Sequence, residues 1–231
     1  MRTILLLLIY VILILVAGIP LLLFSFLTRR SQPLIALGKF GMSLGPKVLG
    51  LKVKVHGREF VNPQQTYIFM ANHLSFLDGP LLFWTIPQPV RVILKKGIFK
   101  IPLVGLGMKM VGFVPVDRRG VKGGKMAIQR AAQMVREKGY SFLIFPEGTR
   151  SRSGQIQPFR RGGFFLALES RAPIVPISIK GTFELMPRGS FFCRSGPIEV
   201  YFHPPVAVED YDVSRMPQLI DLVSQTIASR L

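Results

Sequence analysis

The sequence predicts an α/β fold, in which a mainly parallel mixed sheet flanked by helices follows an N-terminal helical membrane anchor. Three observations predict this fold. Residues 3–28 contain no charged side chain. After them, short apolar runs that are typical of buried strands alternate with longer segments of helical periodicity. Residues 123–145 then predict a helix that leads from one strand into the next, and such crossovers are typical of a parallel sheet.

The uncharged N-terminal stretch is long enough to cross a bilayer. As a helix, residues 3–28 would extend about 39 Å, whereas the hydrocarbon core of a membrane is about 30 Å thick. Arg29 and Arg30 follow, so the positive-inside rule predicts that the rest of the chain lies on the cytoplasmic side. A cleaved signal peptide is the alternative interpretation. Pro20 predicts a kink about two thirds of the way along the helix.

Residues 33–51 are also apolar, and they are rich in glycine. They predict a second helix that lies along the membrane interface with its two lysines directed towards lipid headgroups. The alternative is that this segment is only a linker behind a simple membrane span.

The composition limits the classes of partner and cofactor. With 30 Lys and Arg against 12 Asp and Glu, the net charge is +18, which predicts an anionic partner such as nucleic acid, a membrane surface or a phosphorylated substrate. Since 49% of the residues are hydrophobic, a membrane fits better than nucleic acid. The single cysteine, Cys193, cannot form an intramolecular disulfide, and no Cys/His cluster has the spacing of zinc ligands. We therefore expect no metal site.

The remaining elements follow from periodicity. Residues 51–57 alternate with period two, which predicts a half-buried strand with His56 on its polar side. Further apolar runs predict strands at residues 67–70, 91–94, 111–116, 140–145, 174–179 and 198–203, and helical periodicity predicts helices at residues 123–139, 164–170 and 216–230. Pro176 removes a hydrogen-bond donor, so its strand is expected at a sheet edge or with a bulge. His203 is expected to be structural or exposed.

The motif NHLSFLD, at residues 72–78, directly follows the strand predicted at residues 67–70. A histidine titrates near neutrality, and a carboxylate can fix its tautomer and stabilise its protonated form. His73 and Asp78 are therefore a candidate general base. Residues five apart on a regular helix point about 140° away from one another, so contact between these two side chains requires a turn or a helix start between them.

Three further motifs accompany this one: GFVPVDR at residues 112–118, FPEGTR at residues 145–150 and IVPI at residues 174–177. In this order and at these intervals, the four motifs resemble the glycerolipid acyltransferase family, most closely the 1-acylglycerol-3-phosphate O-acyltransferases. The resemblance covers about residues 50–210. It predicts N-terminal membrane-associated helices over residues 1–51 and an acyltransferase domain over residues 52–231.

The resemblance implies acyl transfer from acyl-CoA or acyl-carrier protein to the sn-2 hydroxyl of 1-acylglycerol 3-phosphate, lysophosphatidic acid, giving phosphatidic acid. His73 would remove the hydroxyl proton and Asp78 would orient the imidazole, without an acyl-enzyme. No metal or tightly bound cofactor is needed. The expected partners are membrane lipids and the two substrates, with no nucleic acid, and the expected location is a membrane with the catalytic domain on its cytoplasmic face.

The resemblance also assigns the acceptor's phosphate to basic residues. Arg118 matches the family's phosphate-binding arginine, and Arg150 supplies a second guanidinium that can grip a phosphate through two hydrogen bonds. A basic residue near the acceptor's phosphate is also expected at Lys95 or Lys96. Since adjacent residues on a strand point to opposite faces, only one of these two lysines should reach the site.

Three residues of the FPEGTR motif complete the expected acceptor site. Glu147 is expected to hold the acceptor, either through a glycerol hydroxyl or by orienting a neighbouring arginine. Gly148 allows the backbone to approach the ligand closely, and Thr149 belongs to the same loop.

Alternatives remain at this stage. The acceptor could be glycerol 3-phosphate or another lysolipid, because the shape of the cleft cannot be read from the sequence. Ser75 lies beside His73 and suggests a covalent route, although direct transfer needs only the base. In a different class, the chain would be a noncatalytic basic protein that binds anionic membranes.

Overall fold

A computed structural model describes residues 1–117 and 121–231, apart from the side chain of Val121. Within these residues a single sheet has the strand order β1-β7-β6-β2-β5-β3-β4. Its strands are β1 (Leu51–His56), β2 (Ile68–Ala71), β3 (Val90–Lys95), β4 (Val114–Val116), β5 (Ser141–Ile144), β6 (Ile174–Lys180) and β7 (Gly196–Phe202).

Five neighbouring strands of this sheet, β6, β2, β5, β3 and β4, run parallel to one another. Strand β7 is antiparallel to β6, and β1 is parallel to β7. The predicted mainly parallel mixed sheet is therefore confirmed. The carboxyl ends of the five parallel strands meet at one edge, which is where open α/β sheets place their functional loops.

The burial of each strand follows from its position in the sheet. Strand β2 is apolar and buried at every position, because helices cover both faces of the sheet there. Phe69 points to one face, and its neighbours Ile68 and Met70 point to the other. Strand β1 lies at the sheet edge and alternates between half-buried and exposed residues, with Lys52 and Lys54 exposed as the period-two pattern predicts.

The N-terminus forms a helical hairpin. A helix over Arg2–Thr28 is long and apolar enough to cross a membrane. It consists of α1 (Arg2–Leu13), a π-helical turn (Ile14–Gly18) and α2 (Ile19–Thr28). The π turn ends two residues before Pro20, whose missing N–H and bulky ring disturb the regular hydrogen bonding of the preceding turn.

The second N-terminal helix, α3 (Gln32–Leu49), packs antiparallel against α1. Two glycines allow this close approach: a Cβ atom at Gly41 would lie 3.1 Å from Leu13, and one at Gly45 would lie 3.4 Å from the Tyr10 hydroxyl. Residues 33–51 thus contain the predicted second helix, and its position along a membrane interface stays a prediction.

Helices cover both faces of the sheet. They are α4 (Asp78–Thr85), α5 (Val104–Met110), α6 (Val121–Lys138), α7 (Arg161–Ser170), α8 (Thr182–Leu185) and α9 (Met216–Ala228). One hydrophobic cluster joins the sheet to α1, α3 and α4, and the other joins its opposite face to α6, α7 and α9. The N-terminal hairpin is therefore part of the layer that covers one face of the sheet.

The edge position suggested for the strand containing Pro176 is wrong, because β6 lies between β7 and β2. The missing donor is tolerated by an irregularity on the β7 side. Regular pairing there begins at Ile177 opposite Phe202, and the next bridge joins Ile174 to Val206, so the partner chain has one residue more than β6 in this interval. The bulge alternative therefore describes the local geometry.

Candidate active site

His73 leaves the sheet two residues beyond the end of β2, at the shared carboxyl edge of the parallel strands. Asn72, which is fully buried, fixes this exit point. Its side-chain amide donates to the carbonyl of Ile179 at 2.8 Å and accepts from the amide of Ile179 at 2.8 Å. Because Ile179 belongs to β6, these two hydrogen bonds link the end of β2 to β6 through a side chain. Sequence reasoning assigned no role to Asn72.

The His73 imidazole and the Asp78 carboxylate are in direct contact, with Nδ1 and Oδ2 3.0 Å apart. The chain turns between them, and Asp78 is the first residue of α4. The turn that such a contact requires is therefore present.

Asp78 is fully buried and accepts four hydrogen bonds. Its Oδ2 also accepts from the amides of Leu74 at 2.7 Å and Ser75 at 2.8 Å, and its Oδ1 accepts from the Thr182 hydroxyl at 2.7 Å. Because an ionised carboxylate can only accept, Nδ1 of His73 carries the proton in the neutral imidazole. Nε2 therefore keeps its lone pair and can act as a base.

The imidazole ring is also fixed by stacking. Phe145, the residue directly after β5, packs against the His73 ring with a centroid separation of 4.0 Å and an angle of 17° between the ring planes. Since β5 is the direct neighbour of β2, the two residues emerge side by side from the sheet. The His73 side chain is 20% exposed to solvent.

Glu147 holds the backbone of the histidine. It is 2% exposed, its Oε1 accepts from the amide of His73 at 2.7 Å, and its Oε2 accepts from the backbone and side-chain nitrogens of Gln157 at 3.2 and 3.1 Å. Burial raises the pKa of Glu147, and the hydrogen bonds from His73 and Gln157 oppose that rise. Among the described side chains no arginine pairs with this carboxylate. Its partners within the described residues are thus His73 and Gln157 rather than an arginine, and its contact with the acceptor stays a prediction.

The loop that contains Glu147 also binds the carbonyl group of His73. The amide of Ser151 donates to the carbonyl of His73 at 2.9 Å. Ser75, by contrast, turns away from the imidazole: its hydroxyl donates to the carbonyl of Met186 at 2.7 Å and accepts from the amide of Leu77 at 3.2 Å. Ser75 is fully buried and stabilises the turn before α4.

His73 lines a cavity of about 1440 Å³. Most of its wall is apolar and comes from the N-terminal hairpin, α4, β3 and α5. This apolar part includes Leu13, Leu22, Leu34, Ile35, Phe83 and Val111. The cavity therefore offers the imidazole a long hydrophobic space, which suits a hydrocarbon chain.

Cations line the same cavity. They are Lys95, Lys125, Arg150, Arg160, Arg161 and Arg188, whereas Lys96 does not line it. Glu169 is the one acidic side chain of the described lining, and it lies 3.6 Å from Arg136. Arg150 forms no salt bridge with any described residue, and its guanidinium lies 5.9 Å from the centre of the Phe76 ring. These charges favour an anionic ligand. Arg118 lies outside the described residues.

The loop that carries Arg150 is supported by two side chains that sequence reasoning did not select. Gln157 donates to the Thr149 carbonyl at 3.1 Å, and Arg188 donates to the Thr149 hydroxyl at 3.3 Å and to the Arg150 carbonyl at 2.9 Å. Gly148 has a φ of +74°, which favours glycine, and a Cβ atom there would lie 3.1 Å from Arg160. Gly148, Thr149 and Arg150 all line the cavity.

No three histidine, cysteine, aspartate or glutamate side chains come together as a metal site in residues 1–117 and 121–231. The polar groups described above place a histidine–carboxylate pair beside a cationic surface.

Comparisons with known proteins agree on one family. The family model named Acyltransferase matches residues 52–180. A 1-acyl-sn-glycerol-3-phosphate acyltransferase of Limnanthes douglasii is 30% identical over 184 residues, which are 80% of this chain and 65% of that protein. A chloroplastic protein of the same name from Brassica napus is 37% identical over 157 residues, covering 67% of this chain and 45% of that protein. The human 1-acyl-sn-glycerol-3-phosphate acyltransferase alpha is 29% identical over 184 residues, covering 77% and 63%.

This chain thus spans less than two thirds of the length of these three relatives. A solved structure, by contrast, matches this chain over nearly the whole length of both proteins. The crystal structure of the 1-acyl-sn-glycerophosphate (LPA) acyltransferase PlsC from Thermotoga maritima has a TM-score of 0.78 and 25% identity, covering 99% of this chain and 97% of that one.

Proposed function

This chain belongs to the acyltransferase family, and on that premise we propose that it transfers an acyl group from a thioester to the sn-2 hydroxyl of 1-acylglycerol 3-phosphate, forming phosphatidic acid. One observation carries the proposal: His73, paired with Asp78, lines a cavity that combines a large apolar surface with cations that form no salt bridge with a described residue. Such a cavity suits a reaction between a hydrocarbon chain and a phosphorylated alcohol. The relatives named 1-acyl-sn-glycerol-3-phosphate acyltransferase support the same acceptor.

In the proposed reaction, Nε2 of His73 removes the proton of the sn-2 hydroxyl while its oxygen attacks the carbonyl carbon of the thioester. The tetrahedral intermediate then collapses, the C–S bond breaks, and the imidazolium returns the proton to the leaving thiolate. Asp78 stabilises the imidazolium that forms between the two steps. The acyl group passes directly to the acceptor, which agrees with the commitment of the Ser75 hydroxyl to Met186.

Arg150 and Lys95 would bind the acceptor's phosphate. Both line the cavity that contains His73, and neither forms a salt bridge with a described carboxylate. Arginine can hold a phosphate through two parallel hydrogen bonds, so Arg150 would fix its orientation and Lys95 would add a point charge. Binding of the phosphate would in turn position the hydroxyl near Nε2.

The donor's acyl chain would occupy the apolar part of the cavity, between the N-terminal hairpin and α5. Either acyl-CoA or acyl-carrier protein could supply the thioester. Arg160 and Arg161 line the cavity as well, and they could bind the phosphate groups that both carriers contain.

We propose further that the N-terminal hairpin holds the domain at the cytoplasmic surface of a membrane. Many apolar side chains of its long helix are exposed, including Leu8, Val16 and Phe26. The helix contacts the rest of the chain near both of its ends, where Thr3 accepts from the amide of Cys193 and Leu22 packs against Gly107. These contacts are roughly 28 Å apart along the helix. If the helix crossed the bilayer perpendicularly, these two contacts would pull the attached domain into the hydrocarbon core. We therefore favour a helix that lies along the membrane surface.

The proposal is tested by acyl transfer to 1-acylglycerol 3-phosphate in phospholipid vesicles, with labelled acyl-CoA and acyl-carrier protein as separate donors. Wild type should form phosphatidic acid with at least one donor, and His73→Ala should lose at least about 100-fold in kcat. His56→Ala is the matched control, because His56 stacks on Tyr201 at the far edge of the sheet and should retain full activity. A folded wild type that forms no phosphatidic acid with either donor would refute the proposal.

A further inference from the structure

A second cavity, of about 370 Å³, lies between the N-terminal hairpin and the loop that follows α8. Its walls include Leu6 and Leu7 of α1, Leu49 of α3, and Phe191 of the loop. It borders the catalytic cavity, because five residues line both: Tyr10, Met42, Phe76, Pro80 and Arg150. A ligand could therefore extend from one cavity into the other along Phe76 and Arg150.

The chemistry of the second cavity is simple. Arg150 is the one charged side chain among the described residues that line it, and nearly all the others are apolar. Its volume lies within the range of small-molecule sites, roughly 300–1,000 Å³. Leu7, Phe76 and Phe191 are 44%, 61% and 57% exposed, so the cavity reaches the same surface as the exposed face of the N-terminal helix. It suits a hydrocarbon chain that enters from a membrane and ends in an anion at Arg150.

The cavity is built from segments that hydrogen bonds hold together. The amide of Cys193 donates to the Thr3 hydroxyl at 3.1 Å, which ties the loop to α1. The amide of Arg194 donates to the carbonyl of Leu185 at 2.8 Å, and the Ser75 hydroxyl donates to the carbonyl of Met186. The walls are thus connected both to the helical hairpin and to the turn that follows His73.

The proposed reaction brings two hydrocarbon chains to one site, since the thioester carries one and the acceptor already carries another. The donor's chain must lie in the catalytic cavity, because its carbonyl has to reach His73. An acceptor whose phosphate is bound at Arg150 has its existing chain next to the wall that the two cavities share. We propose that the second cavity binds the sn-1 acyl chain of the acceptor. This inference rests on the proposed function.

Cys193 provides a direct probe of occupancy. It is the single cysteine of the chain and it lines the second cavity. Burial raises the pKa of its thiol, so alkylation should be slow enough to follow by mass spectrometry. The experiment measures the rate of alkylation by N-ethylmaleimide in the His73→Ala protein, which should bind the acceptor without turnover, in vesicles of phosphatidylcholine and phosphatidylglycerol.

Four additions are compared: palmitoyl-glycerol 3-phosphate, hexanoyl-glycerol 3-phosphate, glycerol 3-phosphate, and monopalmitoylglycerol, which lacks the phosphate. At about ten times its Kd, the palmitoyl acceptor should slow alkylation about tenfold, and the hexanoyl and chain-free compounds should protect much less. Equal protection by monopalmitoylglycerol would mean that bulk lipid occupies the cavity. That result, or the absence of protection by the palmitoyl acceptor, would overturn the proposal.

Kinetics supply a second readout. Cys193→Trp would fill the cavity, so the KM for the palmitoyl acceptor should rise about tenfold while the KM for the hexanoyl acceptor and the preference among donor chains stay unchanged. Leu222→Trp is the matched control: it adds the same indole on the exposed surface of α9, lines neither cavity and should behave as wild type. If wild type proves inactive with this acceptor, the proposed function fails, whereas chain-dependent protection of Cys193 would still support the binding site. If Cys193→Trp does not fold, the protection experiment alone decides.

Discussion

The two halves of the candidate active site are built differently. The half around His73 is fixed by the protein itself: the imidazole bonds to Asp78 and stacks on Phe145, and the backbone of His73 is held by Glu147 and Ser151. The half around Arg150 consists of side chains at the cavity wall that form no salt bridge with a described residue. The protein alone holds the groups around His73, whereas the groups around Arg150 carry a positive charge that an anionic ligand would neutralise.

This difference assigns separate tasks to the two halves. A base that must meet a hydroxyl in one orientation gains from being held rigidly before the substrate arrives. Cations that bind a phosphate gain from leaving their charge unpaired, because a salt bridge within the protein would have to be broken first. Substitutions in the first half should therefore lower kcat, and those in the second half should raise the KM of the acceptor.

The largest effect among the supporting residues is expected for Asp78→Asn. The amides of Leu74 and Ser75 will orient the new side chain with its oxygen towards them, so the tautomer of His73 is kept and mainly the negative charge is lost. We expect kcat to fall roughly 100-fold, because the imidazolium loses its counter-charge. Steady-state kinetics measure this loss. Thr182→Val, which removes a partner of the other carboxylate oxygen, should have a smaller effect. An Asp78→Asn enzyme with wild-type kcat would contradict the assignment.

Glu147→Gln should have the next largest effect. An amide in place of the carboxylate directs N–H groups either at the amide of His73 or at the two nitrogens of Gln157, so one set of donors loses its acceptor. We expect kcat to fall about 10-fold to 100-fold with little change in the KM of the acceptor, because a displaced base reacts slowly.

The matched control for this substitution is Glu137→Gln, on the exposed surface of α6, where the carboxylate contacts only the side chain of Gln133 among the described residues. A Glu147→Gln enzyme with an unchanged kcat and a raised KM would instead support the contact with the acceptor that the sequence suggested. Measuring kcat and KM separately thus distinguishes positioning of the base from binding of the acceptor.

Arg150→Ala examines the opposite half. Removing a charged partner of the phosphate should raise the KM of the acceptor about 10-fold to 100-fold and change kcat less. Arg152→Ala is the control, since Arg152 is exposed in the next part of the loop and does not line the cavity. If kcat fell as far as it does in Glu147→Gln while KM stayed constant, the separation of the two halves would be wrong.

Much of the fold was predictable from the sequence, because it depends on local patterns. The buried run that became β2 and the alternation that became β1 each indicate a strand without knowledge of the rest. Neighbours across the sheet could not be predicted in the same way. The expected edge position for Pro176 was wrong because a missing donor shows that a ladder is interrupted, but not whether the interruption is a sheet edge or an irregular partner strand.

The same distinction between local patterns and contacts distant in sequence applies to the site. The contact between His73 and Asp78 was expected from the resemblance that the four motifs carry together, on the condition that a turn joins the two residues. The contacts that hold them are distant in sequence: Glu147 is 74 residues from His73, and Thr182 is 104 residues from Asp78. A polar residue such as Gln157 gives no signal of its own in a polar loop, because the path that brings it back onto Glu147, ten residues earlier, follows no periodic pattern.

The smallest expected effect distinguishes two neighbouring lysines in the anion-binding half. Both side chains are exposed, but Lys95, the last residue of β3, lines the cavity and Lys96 does not. A lysine contributes a flexible point charge, so Lys95→Ala should raise the KM of the acceptor only about threefold to tenfold, and the increase should shrink at high salt. Lys96→Ala should stay within about twofold of wild type under the same conditions. Equal effects of the two substitutions would mean that the lysines act through the general positive potential of the surface, and Arg150 would then be the one described cation assigned to the phosphate itself.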